Sequence, residues 1–170
     1  SLMSESLGPY CAPRTKYTCS APVRNTRGKT AEGTSRFETG LLNGSVFEGK
    51  AQWITHALDK ASPVSPVLYK DFVVQGNVKK ARLYATALGV YEAEINGEPV
   101  DDTYFHPGWT NYRKRLQYQT YAVTLHSGKT RVALTRANGW YRGKLGFMPQ
   151  PNHYGDTTAA LAALCITYED

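Results

Sequence analysis

From Leu68 onward the chain alternates between apolar and polar residues with a period of two, the mark of strands with one face buried. The pattern predicts strands at Leu68–Val74, Lys79–Ala87, Gly89–Asn96, Glu98–Val100, Thr130–Ala137 and Thr158–Glu169. In Lys79–Ala87 it places Ala81, Leu83, Ala85 and Ala87 on one face. Asn96-Gly97 closes a hairpin, because both residues accept the positive φ that a tight two-residue turn demands. A further strand is expected to leave the stretch Pro107–Tyr121, PGWTNYRKRLQYQTY. There Leu116, Tyr118, Thr120 and Ala122 would share one face, and Arg115, Gln117, Gln119 and Tyr121 the other. No segment sustains a period of 3.6 residues. Ala159–Leu164 would suit a helix by composition, but Ile166, Thr167 and Tyr168 favour a buried strand. Short strands separated by turn signals predict an all-β fold, an antiparallel β-sandwich or jelly roll over residues 67–170.

The first forty residues read differently. Lys16–Arg24 alternates, the polar run NTRGKTAEGTS follows, and Arg36–Thr39 returns. This is a hairpin with a long connection, too small to be stable alone. Its unpaired edges predict disorder or pairing with a neighbouring molecule. Residues 41–66 are a polar linker in which AQWIT (Ala51–Thr55) packs Trp53 onto the following domain. The opening Ser-Leu before Met3 reads as a cloning remnant.

Composition narrows the function. In 170 residues with 41% hydrophobic content there is enough apolar surface for one core. The net charge of +6 is scattered, with Arg113–Lys114–Arg115 as its only triplet, which argues against nucleic acid. No apolar run approaches the roughly 18 residues of a membrane-spanning helix. Cys11, Cys19 and Cys165 lack metal spacing and leave the redox compartment and disulfide status open. The four histidines show no zinc-binding pattern, and no GxSxG elbow is present.

Three constellations carry candidate chemistry. Glu92 and Glu94 share a strand face about 7 Å apart, within the roughly 6.5–9.5 Å of an inverting glycosidase pair. Such a pair must flank its substrate from opposite sides, so a solvated strand face is the better reading. Asp101 and Asp102 are candidate calcium ligands, because that ion wants six to eight oxygens; an ordinary acidic turn is the simpler account. The third is aromatic and basic: Trp109, Asn111, Tyr112 and Arg113 in GWTNYR, and Trp140, Tyr141 and Arg142 in GWYRG. Flat rings beside hydrogen-bond donors suit a carbohydrate, whose apolar face stacks while its hydroxyls are bonded. Tryptophans are more often buried, so each is first expected to plug an end of the core.

ARLYATALGVYEAEINGEPV, PGWTNYRKRLQYQTY, NGWYRGKLGF and YGDTTAALAALCITYED, in this order, resemble the N-terminal β-sandwich domain of bacterial α-L-rhamnosidases. The resemblance covers about Ala81–Asp170. It implies a galactose-binding-domain-like sandwich. SRFETGLL and QWI resemble the segment joining a preceding fibronectin-III-like domain, which makes residues 1–40 that domain's truncated last hairpin. In the family, terminal rhamnose is hydrolysed by carboxylates of an (α/α)6 barrel further along the chain. The resemblance therefore brings no catalytic residue to this stretch, and it implies a larger parent as partner. It also implies that such a sandwich either contacts rhamnose-containing glycans, in some cases with calcium, or serves only to pack against the barrel. A periplasmic or secreted setting is expected. Around Thr124–Lys129 the chain departs from the pattern, with TLHSGK in place of a longer leucine-containing connection.

Overall fold

A computed structural model describes residues 11–42, 47, 51–57, 64–147 and 150–169. They fall into two compact units, Ser1–Glu48 and Gly49–Asp170. In the first, β1 (Lys16–Arg24) pairs antiparallel with β2 (Thr30–Glu38), from Lys16 opposite Glu38 to Arg24 opposite Thr30. The turn between them is tight. Asn25 Oδ1 accepts the backbone N–H groups of Arg27 and Lys29, each at 3.0 Å. The structure thus corrects one expectation: the connection is short, and the polar run is mostly strand. Both faces of β2 are largely exposed, so no alternation marked it as a strand. Tyr17 and Phe37, directly opposite, stack with ring centroids 5.5 Å apart.

The second unit is two antiparallel sheets facing each other. β3 (Val67–Val74), β4 (Val78–Leu88), β5 (Val90–Ile95) and β6 (Glu98–Pro99) are followed by β7 (Gln119–Val123), β8 (Gly128–Ala137) and β9 (Ala159–Tyr168). One sheet runs β3-β8-β5-β6 and the other β7-β4-β9. Asn96 and Gly97 turn β5 into β6 with φ of 53° and 87°, the paired positive values expected of that dipeptide. Between the sheets, Leu83, Ala85, Ala87, Tyr121 and Ala160 meet Tyr91, Ala93 and Leu134. Val74, Ala81 and Leu125 continue this interior. Each large apolar side chain buried here stabilises the fold by about 1.5–3 kcal/mol. Glu92 and Glu94 lie on the opposite face of β5 from Tyr91 and Ala93, as strand alternation requires.

The stretch Pro107–Tyr121 departs from expectation. Its strand, β7, begins only at Gln119, and the side chain sent into the core is Tyr121, while Ala122 is exposed. Residues 107–118 fold back over the outer face of β4. Thr86 Oγ1 donates to the Gln117 carbonyl at 2.6 Å, and the Tyr118 ring lies 6.4 Å from Tyr84. This cover explains why β4 is buried on both faces, with Tyr84 and Thr86 as inaccessible as Leu83 and Ala85. In TLHSGK, Leu125 is buried and Ser127 Oγ donates to the Val74 carbonyl at 3.3 Å, so the short connection is tied to β3.

Candidate aromatic surface

The loop between β6 and β7 starts from a buried knot. His106 sits between two tyrosine rings, with centroids 5.7 Å from Tyr91 and 5.6 Å from Tyr121. Its carbonyl accepts the Tyr91 N–H at 2.7 Å. Thr103 Oγ1 donates to Asp101 Oδ2 at 2.7 Å and lies 2.8 Å from His106 Nε2. A hydroxyl has one proton, so with Thr103 donating to Asp101 the imidazole must carry hydrogen on Nε2. That nitrogen is also 3.2 Å from Asp101 Oδ2. Below, the Tyr91 hydroxyl donates to the Ala85 carbonyl at 3.0 Å and meets the Tyr121 hydroxyl at 3.0 Å. Burial, the bond to Tyr121 and the charge of Asp101 hold the Tyr91 phenol well above its ordinary range. Tyr121, chiefly through burial, is pushed up to about 12.

Asp101 therefore spends its carboxylate on Thr103 and His106, and Asp102 beside it is exposed. Among the described residues no three His, Cys, Asp or Glu side chains come together.

Past the knot the loop turns outward. His106-Pro107 is a cis peptide, and Gln119 Nε2 donates to the Pro107 carbonyl at 3.1 Å. Trp109, expected in the core, is instead 55% exposed at the tip. Asn111 shapes the next turn: its carbonyl accepts the N–H groups of Lys114 and Arg115, and its Oδ1 accepts that of Arg113 at 3.2 Å. Arg115 Nε donates to Thr110 Oγ1 at 3.2 Å.

Tyr112 and Arg113 join a cluster from two other segments. The helical turn α1 (Gly139–Arg142) supplies Tyr141, and the loop before β9 supplies His153 and Tyr154. The Tyr112 ring lies 5.3 Å from Tyr141 and 5.0 Å from Tyr154; Tyr141 and Tyr154 stack at 6.4 Å. Arg113 donates to the His153 carbonyl at 3.0 Å and holds its guanidinium 5.7 Å from the Tyr154 ring centre. The two loops are laced by Tyr154 N–H to Tyr141 O at 3.1 Å and Asn152 N–H to Arg142 O at 2.8 Å. Gly155 makes this approach possible, because a Cβ there would stand 2.8 Å from Tyr141 Cζ. Burial raises the Tyr112 phenol, with a smaller contribution from Tyr154.

Trp140 is half-buried, its ring edge-on to Phe105 at 6.2 Å. Arg142 turns away from the rings: its guanidinium reaches Asn138 Oδ1 at 3.4 Å and lines a separate cleft. Of the residues singled out in the sequence, Tyr112, Arg113 and Tyr141 converge. Phe105, His153 and Tyr154 were missed, although YGDTT already carried a signal in its aromatic-glycine pair. The assembly offers flat rings, an exposed indole and one fixed cationic side chain, Arg113. Such a surface can stack and hydrogen-bond a polar ring.

The profile of the α-L-rhamnosidase N-terminal domain matches residues 76–170. An α-L-rhamnosidase of Streptomyces avermitilis is 52% identical over 95 residues, covering 55% of this chain and 9% of that protein. One of Formosa agariphila is 37% identical over 147 residues, covering 79% of this chain and 15% of its own length. In structure the chain is similar to native α-L-rhamnosidase from Aspergillus terreus, with a TM-score of 0.79 and 30% identity over 94% of this chain and 19% of that one. It is also similar to the Streptomyces avermitilis enzyme complexed with L-rhamnose, with a TM-score of 0.59 and 34% identity over 90% and 17%. The chain thus spans less than a fifth of the relatives it matches. With a profile match over more than half its length and an antiparallel β-sandwich beneath it, this chain belongs to the α-L-rhamnosidase N-terminal domain family.

Proposed function

We propose that this chain is the carbohydrate-recognising accessory domain of a larger α-L-rhamnosidase, with hydrolysis carried elsewhere in the parent. The observation that carries the reading is the exposed Trp109, held at the tip of a loop whose base is locked and whose flank is the Tyr112–Tyr141–Tyr154 cluster. An indole left in water at the end of a rigid loop costs hydrophobic stabilisation unless something covers it. L-Rhamnose suits it, since its 6-methyl group and ring face are apolar while its hydroxyls match Arg113 and Asn111. The ligand in the Streptomyces avermitilis complex supports that choice. Titration of the chain with L-rhamnose, followed by amide chemical shifts, should move Trp109 and Tyr112 saturably in the millimolar range. A parallel series with calcium tests whether Asp101 and Asp102 are recruited. Silence at roughly tens of millimolar, about −2 to −3 kcal/mol of binding, would end this reading.

A packing role is favoured by a different face. On β3, an edge strand, Val67, Tyr69 and Val73 are exposed on the outside of the sheet. Such a row suits burial against another part of the parent. The two roles use different surfaces, and only the first predicts rhamnose-dependent shifts at the loop tip.

A further inference from the structure

Strand β8 sends Thr130, Val132, Leu134 and Arg136 to one face, the face that meets the opposing sheet. The fourth of these inward positions is an arginine, only 1% exposed. Among the described residues, none of its three guanidinium nitrogens has a hydrogen-bond partner. Buried arginines are ordinarily paired, because removing the charge from water is unfavourable unless an opposite charge and acceptors replace the lost hydration. Arg136 instead has a second cation for company. It lines a cleft of about 280 Å³ with Arg142, Asn138, Thr158 and His56, and no carboxylate is among the described residues lining it. Arg142 donates to Asn138 Oδ1, so its neighbour is neutral. Both burial and the Arg142 charge work against the charged form of Arg136.

We propose that this cleft is an oxyanion site in which Arg136 and Arg142 hold a carboxylate. A guanidinium presents parallel N–H groups that match the two oxygens of a carboxylate, and the cleft is polar enough to complete the coordination. At roughly 30 Å³ per water, it has room for the group and several waters. The same chemistry has two sources: the carboxylate of a sugar acid, or an Asp or Glu side chain from elsewhere in a larger protein. The site is separate from the aromatic surface and does not depend on rhamnose binding there. α1 divides the two, giving Tyr141 to the rings and Arg142 to the cleft.

The test is a titration of the 170-residue chain at constant ionic strength, reading the arginine Nε–H resonances. Acetate, D-glucuronate, neutral D-glucose and chloride are the probes. Saturable movement of the Arg136 signal with the carboxylates, but not with glucose or chloride, is the expected result. Glucuronate at least tenfold tighter than acetate assigns the site to a sugar acid; equal affinities assign it to a protein side chain. Arg136→Met, which keeps the apolar stem, should abolish the response and raise Tm in carboxylate-free buffer. Arg142→Gln, at a half-buried position, should weaken binding several-fold and serves if the first variant fails to fold. No movement with either carboxylate, or equal movement with chloride, overturns the proposal.

Discussion

The loop from Asp101 to Tyr118 is made of two halves with opposite construction. At its base, His106 is packed on Tyr91 and Tyr121 and bonded to Thr103 and Asp101, which lie at the surface. At its tip, Trp109 is exposed, and Asn111 and Arg113 bond to backbone or to the neighbouring loop. The base buries His106 and the Tyr91 and Tyr121 hydroxyls and gives each a partner, which makes it costly to disturb. The tip leaves apolar surface in water, which makes it cheap to alter and available to a ligand. A fixed base under an open tip is how a scaffold presents a recognition surface without ordering it at the moment of binding.

Tyr91→Phe attacks the base and should have the largest effect. The variant keeps the ring but leaves the Ala85 carbonyl and the Tyr121 hydroxyl without their partner in a dry interior. Stability should fall by about 1–3 kcal/mol, read as a lower urea midpoint with an unchanged slope. A midpoint within error of the parent chain would mean that the knot does not fix the loop.

Alkaline pH probes the same knot more gently. Tyr121 ionises near 12, and Tyr91 higher still, whereas an unfolded phenol does so near 10. Below pH 10 both states keep these protons, and the stability linked to them is intact. Between pH 10 and about 12 the unfolded chain releases protons that the folded chain retains, so stability declines as pH rises, by up to about 1.4 kcal/mol per pH unit for each group. Phenolate absorbance should therefore rise in two stages, exposed tyrosines first and the buried pair with unfolding. Tyr91→Phe should make the decline shallower.

The sequence was most legible where one face of a strand is buried. The apolar face of β4, with Ala81, Leu83, Ala85 and Ala87, and the Asn96-Gly97 turn could be read directly, because burial and turn geometry each impose a residue type. β2 was illegible for the complementary reason: with both faces exposed, nothing constrains its pattern. β7 was misread because its buried residue is an amphipathic tyrosine whose hydroxyl has a partner in Tyr91, while Tyr118 covers a second buried face of β4. Pattern rules count tyrosine as surface or core equally well. The aromatic cluster was half legible: GWTNYR and GWYRG announced Tyr112, Arg113 and Tyr141, but Tyr154 joins them from a loop distant in the chain. Arg136 was readable and overlooked, since extending the alternation of Thr130, Val132 and Leu134 by two residues puts a charge inside.

Trp109→Ala is the complementary break, and its effect on stability should be the smallest. The indole is 55% exposed and packs on no other aromatic ring among the described residues, so truncation removes little buried surface. Changes at such positions usually stay within about 0.5 kcal/mol. Under the proposed recognition role, rhamnose-dependent shifts should nonetheless weaken at least tenfold, because a stacked aromatic supplies contact area that no neighbouring polar group replaces. A variant that unfolds early would place Trp109 with the structural base. One that keeps both its midpoint and its rhamnose response would move recognition to the Tyr112–Tyr141–Tyr154 rings, where the same titration on Tyr141→Ala would then have to show the loss.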